Sequence, residues 1–111
     1  IILLEKGADP NFKVNGRTTP FETALHQADI EQIRLLLAHG ASIDGLLSRG
    51  ITPLIHAIFS GHLRVIETLL KAGANPDKAD LDGVTPIYWA CMVGSNLALS
   101  MILEKSKQSI N

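Results

Sequence analysis

The chain has 111 residues, of which 46% are apolar, and ten basic side chains against eleven acidic ones leave a formal charge of -1. That balance lacks the Lys and Arg excess with which a typical nucleic-acid-binding domain meets phosphate. Cys91 is the only cysteine, which excludes an internal disulfide and suits a reducing compartment without proving one.

The opening, Ile1-Ile2-Leu3-Leu4-Glu5-Lys6-Gly7-Ala8-Asp9-Pro10, reads as the last turns of a helix and its exit loop. Its apolar run stops at Glu5, far short of the ~20 residues of a membrane span, and it has no signal-peptide pattern. Further on, Thr19 suits an N-cap and Pro20 the first helical position, where a missing N–H leaves no bond unmade. After Ala28-Asp29 a second helix presents Ile30, Ile33, Leu36 and Leu37 as its packing face, with Glu31, Gln32 and Arg34 outward. His39, just before Gly40, is placed to interact with the helix C-terminus when charged, a structural rather than a metal or catalytic role.

Thr52-Pro53 starts another short helix through Leu54, Ala57 and Ile58, which Gly61 stops. A helix beginning near His62 then sets Leu63, Ile66, Leu69 and Leu70 at three- and four-residue spacing, and Gly73 closes it with the left-handed conformation a C-cap favours. In the last stretch Asp82-Gly83 makes a turn, Thr85-Pro86 starts a helix, and Ala98, Leu99, Ile102 and Leu103 carry the following helical face. Glu104-Lys105-Ser106-Lys107 stands where earlier segments have Gly-Ala, so the polar tail to Asn111 suits either a terminal cap or a linker.

These segments repeat at an offset of 33 residues without a gap. Thr19-Pro20, Thr52-Pro53 and Thr85-Pro86 mark three starts, and Ala24, Ala57 and Ala90 mark a small position inside each first helix. Leu3-Leu4, Leu36-Leu37, Leu69-Leu70 and Ile102-Leu103 mark the second-helix ends, with Gly7-Ala8, Gly40-Ala41 and Gly73-Ala74 following three of them. Asn11, Asp44 and Asp77 share one further position. The segment 14–46 is the least regular, with Arg17 in place of Gly50 and Gly83, Gly16 one residue early, and Ala28-Asp29 in place of Gly61-His62 or Gly94-Ser95.

With these starts, turns and period, the chain resembles the ankyrin repeats. The resemblance covers essentially the whole chain. It implies an all-α fold, an ankyrin-repeat solenoid of stacked antiparallel helix pairs, with the loop after each second helix projecting toward the next repeat. The expected division of 1–111 is the end of a truncated repeat at 1–13, repeats at 14–46 and 47–79, and at 80–111 a repeat with its C-terminal cap or linker. Because the chain opens inside a repeat, it reads as a piece of a longer protein, or the ordered part of one, with at least the first helix of that repeat absent. The family's Thr-Pro-Leu-His histidine position carries Glu22, Ile55 and Tyr88 here. His56 lies one place later and does not inherit that histidine's hydrogen bonds, so other contacts must hold neighbouring repeats together.

A search for chemistry comes out empty. His26, His39, His56 and His62 show no H-E-x-x-H or Cys/His metal spacing, and no Gly-rich phosphate loop follows a strand pattern. His56 and His62 fall on opposite sides of a turn. No Ser, His and acidic group form a nucleophilic constellation. Glu22 and Glu31 read as solvated helix charges rather than paired catalytic acids, and Cys91, beside Ala90, as packed rather than reactive. The expectation is therefore no enzyme activity, no catalytic residue, no metal and no cofactor.

The family resemblance implies a binding module whose projecting loops and outer first-helix residues form a concave recognition face. Carried over, those positions are Lys13, Asn15, Thr18, Thr23, His26 and Gln27, then Leu46, Ser48, Arg49, Ile51, His56, Phe59 and Ser60, then Leu81, Asp82, Val84, Trp89, Met92 and Val93. Arg49, Ile51, Phe59, Val84, Trp89, Met92 and Val93 are the expected partner-binding residues, because aromatic, Met and Arg side chains are enriched at interface centres. Tyr88-Trp89 gives the last repeat an aromatic edge that either caps the stack or helps form a partner pocket. The expected partner is a protein or peptide, with no specific nucleic acid and no membrane insertion; adjacent ankyrin repeats or a further domain are also compatible. The alternative is a structural segment that packs within a larger ankyrin array, including one in a multidomain enzyme. The expected setting is intracellular, the cytoplasm first, then the nucleus or a host cell.

Overall fold

The computed structural model describes residues 19–110, which form six helices: α1 Pro20–Gln27, α2 Ile30–Ala38, α3 Pro53–Ser60, α4 Leu63–Lys71, α5 Pro86–Val93 and α6 Asn96–Ile110. No strand occurs among the described residues. The helices pack as pairs, α1 with α2, α3 with α4 and α5 with α6, and each pair lies against the next through first helix on first helix and second on second. The repeat end expected at 1–13, together with Lys13, Asn15, Gly16, Arg17, Thr18 and Asn111, lies outside the described residues.

The three first helices begin by one device. Thr19, Thr52 and Thr85 sit in extended backbone, and each hydroxyl oxygen accepts from the N–H three residues on, that of Glu22, Ile55 or Tyr88, at 3.0, 3.1 and 3.3 Å. Pro follows at the first helical position in all three. With the cap filling one orphan donor and Pro lacking another, an eight-residue helix can start sharply. Each then ends on a left-handed residue: Gly61 at φ 77°, Gly94 at φ 73° and, in the irregular pair, Ala28 at φ 53°. Ala28 holds the glycine's conformation with a Cβ attached, which costs about 1 kcal/mol. A compensating cap follows it: Asp29 Oδ1 accepts from Gln32 N at 3.3 Å at the start of α2. Ser95 does the same for α6, accepting from Ala98 N at 3.2 Å, while His62 at the matching position makes no side-chain cap bond to α4.

The core runs through Phe21, Ala24 and Leu25, Ile33 and Leu36, Leu54, Ala57 and Ile58, Val65, Ile66, Leu69 and Leu70, then Ala90, Ala98 and Ile102. Periodicity places most of these, with four exceptions. Leu63, expected to pack, is exposed, and Val65 takes the core position instead. Leu103 is exposed although Leu70, one period earlier, is buried. Cys91, expected to be packed beside Ala90, is exposed, because the register it shares with Leu25 and Ile58 is buried only where the next first helix lies over it. Glu22, expected to be solvated, is buried; its partner is described below. The tail continues α6 as helix to Ile110, past the length of α2 and α4, and Ser106 Oγ donates to Asp77 Oδ1 at 2.9 Å.

Candidate functional site

The loops that lead into α3 and α5 are tight turns built alike. Leu47 N donates to Ile51 O at 2.7 Å and Gly50 N to Leu47 O at 2.8 Å; one period on, Asp80 N donates to Val84 O at 2.9 Å and Gly83 N to Asp80 O at 3.0 Å. Gly50 and Gly83 turn the chain at φ 76° and 82°, where a side chain is strained. The loops are also joined to each other. Leu81 N donates to Gly50 O at 2.9 Å, and the Leu81 side chain lies so close that a Cβ on Gly50 would stand 2.5 Å from Leu81 Cδ1.

Asp80 organises the second loop. Its Oδ1 accepts from Asp82 N and Val84 N, each at 2.9 Å, and its Oδ2 accepts from Trp89 Nε1 at 3.1 Å. The Val84 bond first, then those of Trp89, Asp82 and Gly83, hold the carboxyl below its ordinary value, against a smaller opposing effect of desolvation. Trp89 is thereby pinned, half-buried, between loop and helix. The Phe59 ring meets it edge to face, centroids 5.8 Å apart at 79°, the geometry aromatic quadrupoles favour.

Of the seven expected partner-binding residues, Arg49, Phe59, Met92 and Val93 are exposed, and Ile51, Val84 and Trp89 are half-buried. Phe59 is 55% exposed and Met92, its register mate in α5, 60%. Among the wider set, Leu46 and Leu81 are also exposed.

Between the first two helix pairs lies a groove of about 410 Å³ lined by Glu22 and His26 of α1, Leu47, Ser48, Arg49 and Ile51 of the loop, and His56, Phe59 and Ser60 of α3. Its wall holds the buried acid. Glu22 is 5% exposed, and it reaches across to the next repeat, where its Oε1 accepts from Ser48 N at 3.3 Å and its Oε2 from Ser48 Oγ. Reading Glu22 as a solvated helix charge is therefore corrected: two donors from the neighbouring loop replace the water lost on burial. His26 Nε2 lies 3.7 Å from the same Oε2. On its other side His26 Nδ1 meets His56 Nε2 at 3.3 Å, with the rings edge to face at 86° and centroids 4.6 Å apart. His56 is buried, and its Nδ1 has no hydrogen-bond partner. Burial first, then His26, pushes the His56 pKa below the ordinary 6.5; His62 and Arg49 push the same way, and Glu22 opposes them.

Sequence reasoning missed this cluster. A signal was present: Glu22 is the one charged residue at a position otherwise held by Ile55 and Tyr88. His26 and His56 are 30 residues apart, one helical turn less than the repeat period, so side-by-side first helices bring them together. Among the described residues no group of three His, Cys, Asp or Glu side chains is placed to hold a metal ion, and no helix is long and apolar enough to cross a membrane.

In comparison with known proteins, the family model described as ankyrin repeats (3 copies) matches residues 1–80 and again residues 24–111. No curated protein matches the chain.

Proposed function

Because the chain belongs to the ankyrin-repeat family, whose repeats generally serve protein interaction, we propose that it is a non-catalytic module that binds a protein or peptide along a concave face. The recognition centre is Phe59, Trp89 and Met92, with Ile51, Val84 and Val93 as its apolar margin and Arg49 on its rim. One observation carries this reading: Phe59 is held edge-on by a Trp89 that Asp80 has already fixed, yet more than half of Phe59 remains exposed at 55%. A large ring with its rotamer held by packing loses little further freedom on binding, and such side chains carry a disproportionate share of interface free energy.

The test is affinity for a peptide selected by the protein from a random displayed library. Phe59→Ala and Met92→Ala, each first checked for helicity by circular dichroism, are each expected to weaken binding by about 2 kcal/mol or more, and Glu67→Ala, on an exposed face of α4, to leave it unchanged. Wild-type affinity in both folded face variants rejects this centre.

A second reading, a packing segment of a larger array, draws support from Tyr88, Cys91 and Leu103. These are exposed at positions that are buried as Ile55, Ile58 and Leu70 in the preceding pair. Affinity lost only together with helicity favours it.

A further inference from the structure

The contact between His26 and His56 is a junction of two repeats, and its atoms constrain how many protons it can hold. Two ring nitrogens 3.3 Å apart share one hydrogen. In the neutral pair one ring donates and the other accepts. A first added proton fits: His26 as imidazolium turns Nε2–H toward the Glu22 carboxylate and donates Nδ1–H to a bare His56 Nε2. A second proton does not fit, because it sets N–H against N–H and buries a second cation near Arg49 and His62. The consequence reaches the loop, because the Glu22 oxygen facing His26 is the one that accepts from Ser48 Oγ.

We propose that the Glu22, His26, His56 and Ser48 cluster is an acid-operated latch between the first two repeats. Closed, it holds the Ser48 loop against α1 and sets the wall of the groove. When His56 gains a proton the imidazoles part, the His26 imidazolium draws the carboxylate from Ser48, and the loop comes free. The charged and titratable groups acting on His56 are His26 and Glu22 from α1, Arg49 from the loop and His62 beyond the end of α3. With the folded-state value lowered, the closed contact is fully present above the ordinary 6.5 and is lost as pH falls through the lowered value. The latch does not depend on the identity of any partner, and its test needs none.

The ring protons of His26 and His56 are titrated by NMR in the 111-residue protein, while amide exchange gives the protection factors of Ser48 and of Leu69 in the α4 core. Protection at Ser48 is expected to fall about ten-fold or more through the His56 titration while Leu69 stays protected. In His26→Ala, a change at a largely exposed side chain, the His56 titration moves up and Ser48 protection no longer follows it. Glu22→Gln supplies a second, shape-preserving variant: removing the one charge that favours the His56 proton moves its titration further down. Constant Ser48 protection while His56 protonates, an unchanged His56 titration in both variants, or parallel loss at Ser48 and Leu69 overturns the latch.

Discussion

Leu70 and Leu103 are the same residue at the same position of consecutive repeats, yet Leu70 is 4% exposed and Leu103 45%. Ile55 and Tyr88 differ in the same sense, at 0% and 57%. The helices that carry Ile55 and Tyr88 are built alike, each with a Thr cap, Pro at the first position and a left-handed Gly stop, and Leu70 and Leu103 hold the same place in the repeat spacing. Burial at these positions therefore comes from the following helix pair, which for the central repeat is α5 and α6. In a stack whose units touch only their neighbours, the stability of a position is a property of the interface beside it.

The sharpest way to break this comparison is to truncate both leucines. Leu70→Ala should cost about 2–5 kcal/mol through lost burial and a residual cavity, and Leu103→Ala about 1 kcal/mol or less, since much of its surface is already in water. Urea unfolding measures both; equal costs would mean that Leu103 is covered in solution. The caps give a smaller contrast. Thr52, buried at 2%, should lose about 1 kcal/mol on change to Ala, whereas Thr85, whose helix start is open to water, should lose a few tenths. The smallest effect probes the irregular first pair. Ala28→Gly should stabilise by about 0.5–1 kcal/mol by relieving its left-handed strain, while Gly61→Ala, at the matching cap, should destabilise by a similar amount.

Much of the fold was legible because it is written three times. Thr-Pro starts, Gly stops and the apolar spacing each recur one period on, so an accident in one repeat is corrected by the next. Leu63 and Val65 show where that fails: both are apolar near a helix start, and a pattern of threes and fours does not say which faces inward. The face was legible as a set of positions, but its contacts were not. Trp89 reads as an aromatic edge with two possible roles, and only the Asp80 bond and the Phe59 ring place it. Glu22 reads as solvated for a physical reason: a carboxylate on a helix is taken as solvated unless donors are seen, and its donors come from Ser48, 26 residues away on the loop before α3.

The hydrogen bond from Leu81 to Gly50, and the Leu81 side chain closed over that glycine, bear on how this surface can diversify. A loop that rests on its neighbour is not a free cassette. Any side chain at Gly50 would displace Leu81, and a change of backbone at 81 would strand the Gly50 carbonyl, so the two turns must vary as a matched pair. A library that randomises one loop while keeping the other would spend most of its members on misfitted junctions. One that transplants residues 46–51 and 79–84 together would keep the seam and change only what it presents.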